Sequence, residues 1–301
     1  MQVTHVNLKP FTRTYAVLAI LLLLFMATIA QGEEVKSAAF LKAQSLMKVE
    51  NYKAAAKTIT KAQKNGEDTI DMSLMLTNTY AARIGQVGAL KKLGLAKKIK
   101  ASTEHSLKLD PNHIGALEGL IQFHLQAPGI AGGDKDEARK LAARMIVLKP
   151  VRGHVLLATL SAKQEKFAEA EQHINKALAI DPTNTQTLLA KASGLGQQER
   201  YIESITVFET CLEHEPENQD CRYLIGKTAQ VAKIEYEKGK AAFAKFIEIG
   251  HDNKEYIAYA HYRLGKIYAQ TDDETTAKTH YQLAVNIADL KPAKKALAAM
   301  E

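Results

Sequence analysis

The chain has 301 residues, 46% of them hydrophobic but only 6% aromatic, with two cysteines and no tryptophan. Much of the hydrophobic share is alanine and few runs look strand-like, so the composition suits stacked helices better than one large globular core. The formal net charge is +7, and two cysteines are too few for a zinc site built on three or four cysteines.

In chain order, residues 1–30 carry a basic leader with Lys9 and Arg13, an apolar run from Tyr15 to Phe25, and the small residues Ala27, Thr28 and Ala30. That is the layout of a secretory signal peptide. The run from Tyr15 to Ile29 has 15 residues, short of the roughly 20 that a membrane-spanning helix needs. The expectation is cleavage after Ala30, a mature chain that begins at Gln31 and resides in a periplasm or is secreted, and membrane contact only through the leader before its removal. Subtracting Lys9 and Arg13, with no acid before Glu33, lowers the net charge to +5. On an exported chain this argues against nucleic acid and favours an acidic partner.

The first helix pair is expected to set Ala39, Ala43 and Leu46 against Ala55, Ile59 and Ala62, with the turn at Asn51 and Tyr52. A longer pair follows, Leu76 and Tyr80 in its first helix and about Leu93 to Leu109 in its second, joined near Gly85 and Gly88. Its lysines Lys91, Lys92, Lys97, Lys98 and Lys100 form a solvated face or a basic patch. The third pair sets Leu117, Leu120, Ile121 and His124 against a second helix with Ala138, Ala142, Met145 and Pro150. Between its helices Gly129, Gly132 and Gly133 precede Asp134. No strand precedes this loop and no Gly-Lys-Ser/Thr follows it, so it reads as an extended turn capped by Asp134 and not as a phosphate cradle.

Residues 151–184 and 185–218 superpose at a spacing of 34: Ala158 on Ala192, Phe167 on Tyr201, Ala170 on Ser204, Ile174 on Phe208, Ala177 on Cys211 and Pro182 on Pro216. Downstream, Ile225, Gly226 and Ala229 face Gly239, Phe243 and Phe246. In 258–291, Leu264, Gly265 and Tyr268 face Ala277, Tyr281 and Ala284 across a turn at Asp272 and Asp273. Seven pairs result, followed by a short Ala- and Lys-rich helix over 292–301 that caps the stack.

A helix-turn-helix period of 34 with small residues at the helix crossings resembles the tetratricopeptide repeat. The resemblance covers residues 31–291, clearest in 151–184, 185–218 and 258–291. It departs from the family pattern in its longer units and in lacking the early tryptophan. It implies an all-α, right-handed α-solenoid of stacked antiparallel helix pairs, whose first helices line a concave groove that binds a protein or peptide without catalysis. It also assigns the exposed stripe of each first helix to ligand contact, where Tyr223 with Lys227 and Tyr262 with Lys266 repeat one arrangement beside Gly226 and Gly265. An aromatic beside a cation suits a carboxylate-bearing peptide; the alternative is an ordinary solvated face.

No catalytic, cofactor or metal site is expected. There is no Gly-x-Ser-x-Gly turn and no His-Glu-x-x-His run, and His124, His154 and His261 fall on periodic inward positions. Cys211 and Cys221 lie five residues to either side of Pro216. Residues equidistant from the turn of an antiparallel hairpin face one another, so a disulfide is expected, favoured by an oxidising compartment. Cys211 also occupies the place of Ala177, which a small buried residue would fill equally. A second functional reading is a periplasmic solute-handling accessory of a transport system. Against it, the sequence displays no apolar ligand chamber and no lipoprotein cysteine.

Overall fold

The structure, a computed structural model, describes residues 36–300; the signal-peptide reading and the cut after Ala30 lie outside them. Among the described residues there are 15 α-helices and no strand. None of these helices is long and apolar enough to cross a membrane. The chain divides into two compact units, one through Leu95 and one from Ala96.

The first unit contains α1 (Ala38–Lys48), α2 (Tyr52–Lys64), α3 (Ile70–Arg83) and the start of α4 (Ala89–Leu109). Asn51 caps α2 by accepting from the Ala54 N–H at 3.3 Å, which fills one of the donors a helix start leaves unpaired. Ala43, Ala55 and Ile59 are fully buried. Thr79, also buried, donates to the Met75 carbonyl at 2.7 Å and so needs no partner from water.

The second unit continues with α5 (Ile114–Gln126), α6 (Lys135–Leu148), α7 (Pro150–Lys163), α8 (Phe167–Ile180), α9 (Thr185–Gln197), α10 (Tyr201–His214), α11 (Gln219–Ala232), α12 (Tyr236–Ile249), α13 (Lys254–Gln270), α14 (Glu274–Ala288) and α15 (Lys291–Ala298). Consecutive helices pack as pairs, because each amphipathic hairpin has an apolar stripe it cannot cover alone. The Gly129–Gly133 segment is a turn that opens with a 3-10 helix over Gly129–Ala131, and Pro150, expected in the second helix of this pair, instead starts α7, where its missing N–H costs nothing. Asp134 caps α6 by accepting from the Asp136 and Glu137 N–H groups at 2.9 and 3.1 Å, and those bonds hold its carboxyl below the usual carboxylate range. Asn184 and Asn218, 34 apart, cap α9 and α11 in the same way.

The turn inside a pair has a recurring form. After α7 the Lys166 N–H reaches the Ser161 carbonyl at 2.9 Å, and after α9 the Arg200 N–H reaches Leu195 at 3.0 Å. These are the long bonds of a Schellman end. The left-handed residue there is Glu165 or Glu199, not glycine.

The small residues sit where the helices cross. Ala158 and Ala192 are buried. A methyl added at Gly226 would lie 2.6 Å from the Phe243 ring, and one at Gly265 would lie 2.8 Å from the Tyr281 ring. Only glycine leaves room for those aromatics at these two crossings.

Candidate functional site

Polar bonds at repeat spacing join the first helices of successive pairs. Arg152 on α7 donates to Glu118 of α5 at 2.5 Å and to Gln186 of α9 at 2.8 Å, its partners lying 34 positions before and after it. Arg263 on α13 donates to the Tyr223 hydroxyl of α11 at 3.2 Å and to Gln230 at 2.8 Å. The planar guanidinium spans two acceptors and so fixes the register between neighbours.

The four residues assigned to the groove divide by burial. Tyr223 is half-buried, its ring 5.6 Å from Phe243, 5.3 Å from Phe246 and 6.2 Å from Tyr256. Lys227 is exposed. Tyr262 is half-buried against Tyr281, 5.9 Å between ring centres, and the Lys266 amine lies 5.9 Å from the Tyr262 centroid, within cation–π reach. Each tyrosine leans on the element that follows it, so its ring is largely spent on packing, the Tyr223 hydroxyl accepts from Arg263, and Lys227 is the exposed member of the four.

Two histidine pairs, each spanning the two helices of one hairpin, escaped the reading by periodicity. His154 on α7 meets His173 on α8 with their Nδ1 atoms 3.1 Å apart, and His261 on α13 meets His280 on α14 at 3.0 Å. In each pair one ring must donate and the other accept. Tyr268 stacks on His280 with its ring 7° from parallel, and Lys240 lies 4.9 Å from the centroid of that tyrosine. Burial, then the neighbouring His280, pushes His261 down to about 4. His280 is lowered by burial; His154 and His173 are lowered by burial first, then by Lys176 and by His154 respectively. The signal in the sequence is a histidine nineteen positions after a histidine, occurring in two hairpins in the same register. Among the described residues no cluster of three or more His, Cys, Asp or Glu is arranged to hold a metal.

A cavity of about 260 Å³ opens between α7, α8 and α9. Its floor is Ala158, Ala162, Ala170, Ile174 and Leu195, all buried. Lys163, Lys191, Glu171 and Arg200 stand around it. This is an apolar chamber of the kind the sequence does not display.

Cys211 at the end of α10 and Cys221 in α11 have their sulfur atoms at bonding distance and their Cα atoms 6.5 Å apart. Both are fully buried beside Leu188, Phe208 and Ile225, so the link joins the second helix of one pair to the first helix of the next.

Residues 151–184 and 258–289 match the family model of the tetratricopeptide repeat. No curated protein matches the chain. Among solved structures, a tetratricopeptide repeat protein from Parabacteroides merdae is similar with a TM-score of 0.57 at 15% identity, covering 86% of this chain and 96% of its own. The APC/C hetero-tetramer Cut9–Hcn1 gives 0.56 at 12% identity, covering 94% of this chain and 52% of the other. The human IFIT1 dimer with PPP-AAAA gives 0.60 at 15% identity, covering 83% and 59%. The chain thus carries two hairpins that match the tetratricopeptide-repeat model directly, at 151–184 and 258–289, and over most of its length it shares the all-helical repeat fold of these neighbours.

Proposed function

We propose that the protein is an exported scaffold that holds a protein or peptide partner, acidic in character, along the first helices of its second unit. The observation that carries this reading is the pairing of Tyr223 with Lys227 on α11 and Tyr262 with Lys266 on α13, two aromatic–cation pairs in the same register. The half-buried rings present rigid edges at low entropic cost, and the amines supply charge for a carboxylate. Tetratricopeptide-repeat scaffolds generally act by binding and not by catalysis, which agrees with the lack of any recognisable catalytic motif in the sequence.

Tyr223→Ala, Lys227→Ala, Tyr262→Ala and Lys266→Ala together are expected to weaken capture of an acidic peptide by tenfold or more while the helical spectrum is retained. Unchanged affinity in the folded quadruple variant overturns the assignment. Loss of the fold would be resolved with Lys227→Ala and Lys266→Ala alone, which keep both tyrosine rings in place.

Export is supported by the leader pattern of residues 1–30 and by the cysteine pair, which persists in an oxidising compartment. One intact-mass measurement tests both. Protein recovered outside the cytoplasm and alkylated while unfolded, without reductant, is expected to begin at Gln31 and carry no alkyl group. A retained Met1 on membrane-bound protein sinks the export reading, and two alkylated thiols sink the disulfide.

The cavity beside α9 favours the solute-handling reading as the runner-up, because it supplies the apolar chamber that reading needs.

A further inference from the structure

We propose that the cavity between α7, α8 and α9 binds a carboxylate carried on a compact apolar body, either a short aliphatic acid or the apolar C-terminal residue of a peptide. The cavity exists because α9 lacks two side chains that its neighbours have. Gly194 stands 34 positions after Leu160 and in the register of Ile267, and both of those are fully buried. Ala190 stands 34 after Leu156 and 34 before Leu224, of which Leu156 is buried and Leu224 partly so. The preceding hairpin carries leucine at both places and the following one carries Thr228 and Leu224, whereas this one has a hydrogen and a methyl one turn apart. A methyl added at Gly194 would meet nothing within 4 Å, so the space has not closed by collapse.

An apolar wall that touches nothing forfeits dispersion contacts, and an apolar occupant restores them. The volume of about 260 Å³ is below the roughly 300 to 1,000 Å³ of pockets for drug-sized ligands, which restricts the occupant to a small body. The sign of its head group follows from the rim. Arg200 is held by Glu203 through two bonds of 2.7 and 2.6 Å and also lies within electrostatic reach of Glu171. Lys163 and Lys191 form no ion pair among the described residues, although Lys191 lies within electrostatic reach of Glu203; three cations against Glu171 and Glu203 leave the mouth positive. A carboxylate at the mouth with its apolar part inside satisfies both features. The site shares Leu189 with the pocket beside Tyr223 but none of the four tyrosine–lysine residues, so Lys227→Ala with Lys266→Ala leaves its walls in place and the two proposals fail independently.

The test is a titration of the methyl-labelled full chain with hexanoate and N-acetyl-leucine, using N-acetyl-leucinamide and hexylamine as controls. Saturable shifts are expected at the methyls of Ile174, Leu189 and Leu195 with both acids, at least tenfold weaker with either control. Tighter binding of N-acetyl-leucine identifies a peptide C-terminus as the source; tighter binding of hexanoate identifies a free acid. Gly194→Leu is expected to abolish the shifts, leave distant methyls in place and raise the melting temperature. Lys163→Gln with Lys191→Gln keeps the cavity and is expected to weaken the acids tenfold while leaving N-acetyl-leucinamide unchanged. The proposal is overturned if none of the four probes shifts these methyls, if the shifts survive in Gly194→Leu, or if hexylamine binds as well as the acids.

Discussion

Between pH 7 and pH 5 the folded protein is expected to lose about 2 kcal/mol of stability through His261 alone. The sign follows from the direction of the shift. In the unfolded chain His261 takes up a proton near its ordinary value of 6.5, whereas in the folded chain burial and His280 hold it down to about 4. Acid therefore favours the unfolded state, the stabilisation being full above about 6.5 and lost as pH falls toward 4. His280, His154 and His173 are lowered too and act in the same direction. At Nδ1 separations of 3.0 and 3.1 Å a pair can share one proton but cannot hold two without facing like charges. The carboxylates held below their usual range, among them Glu169 and Asp273, lose their contribution only at lower pH. The window between pH 6.5 and 5 thus belongs to the histidines. Urea midpoints at pH 7 and 5 measure the effect. His261→Leu with His280→Leu, which removes both partners and leaves no polar group behind, is expected to flatten the pH dependence; an unaltered slope rejects the account.

Gly226→Val is expected to destabilise by about 1–3 kcal/mol, the range for overpacking a filled core. Its Cβ would arrive 2.6 Å from the ring of Phe243, a fully buried side chain with nowhere to retreat. Gly194→Ala, two residues beyond the equivalent place in the preceding hairpin, is expected to stabilise by up to about 1 kcal/mol, because the methyl enters open space and the helix gains propensity. Opposite signs for two helical glycines, read as denaturant midpoints, separate packing from propensity. Two losses of equal size would show that the cavity at Gly194 is closed in solution.

The hairpins were legible in the sequence because every repeat has the same geometric need. Ala158, Ala177 and Ile174 return at 34 as Ala192, Cys211 and Phe208, and all six are buried. Asp134 was legible as a cap because capping is local and depends on two or three residues. The histidine pairs were not, since an offset of nineteen matches neither the helical period nor the repeat, and only the crossing of two helices makes the rings neighbours. Burial of Tyr223 was hidden because its covering rings, Phe243, Phe246 and Tyr256, come from later helices. The cavity was hidden for the opposite reason. It is made by what Gly194 and Ala190 lack, and an absence becomes readable only beside Leu160 and Leu156, whose burial has to be known first.

The bond between Cys211 and Cys221 also sets how the stack bears a mechanical load. In a repeat array each hairpin grips only its neighbours, so tension applied at the two ends peels hairpins away one after another. The cysteines are ten residues apart in sequence but 6.5 Å apart at their Cα atoms, and an extended chain spans about 3.3–3.6 Å per residue. The oxidised molecule consequently withholds about 30 Å of contour length from any pull. The segment between the two hairpins cannot pay out until the bond is reduced, and at the α10–α11 junction the pull passes through the disulfide instead of the backbone it encloses.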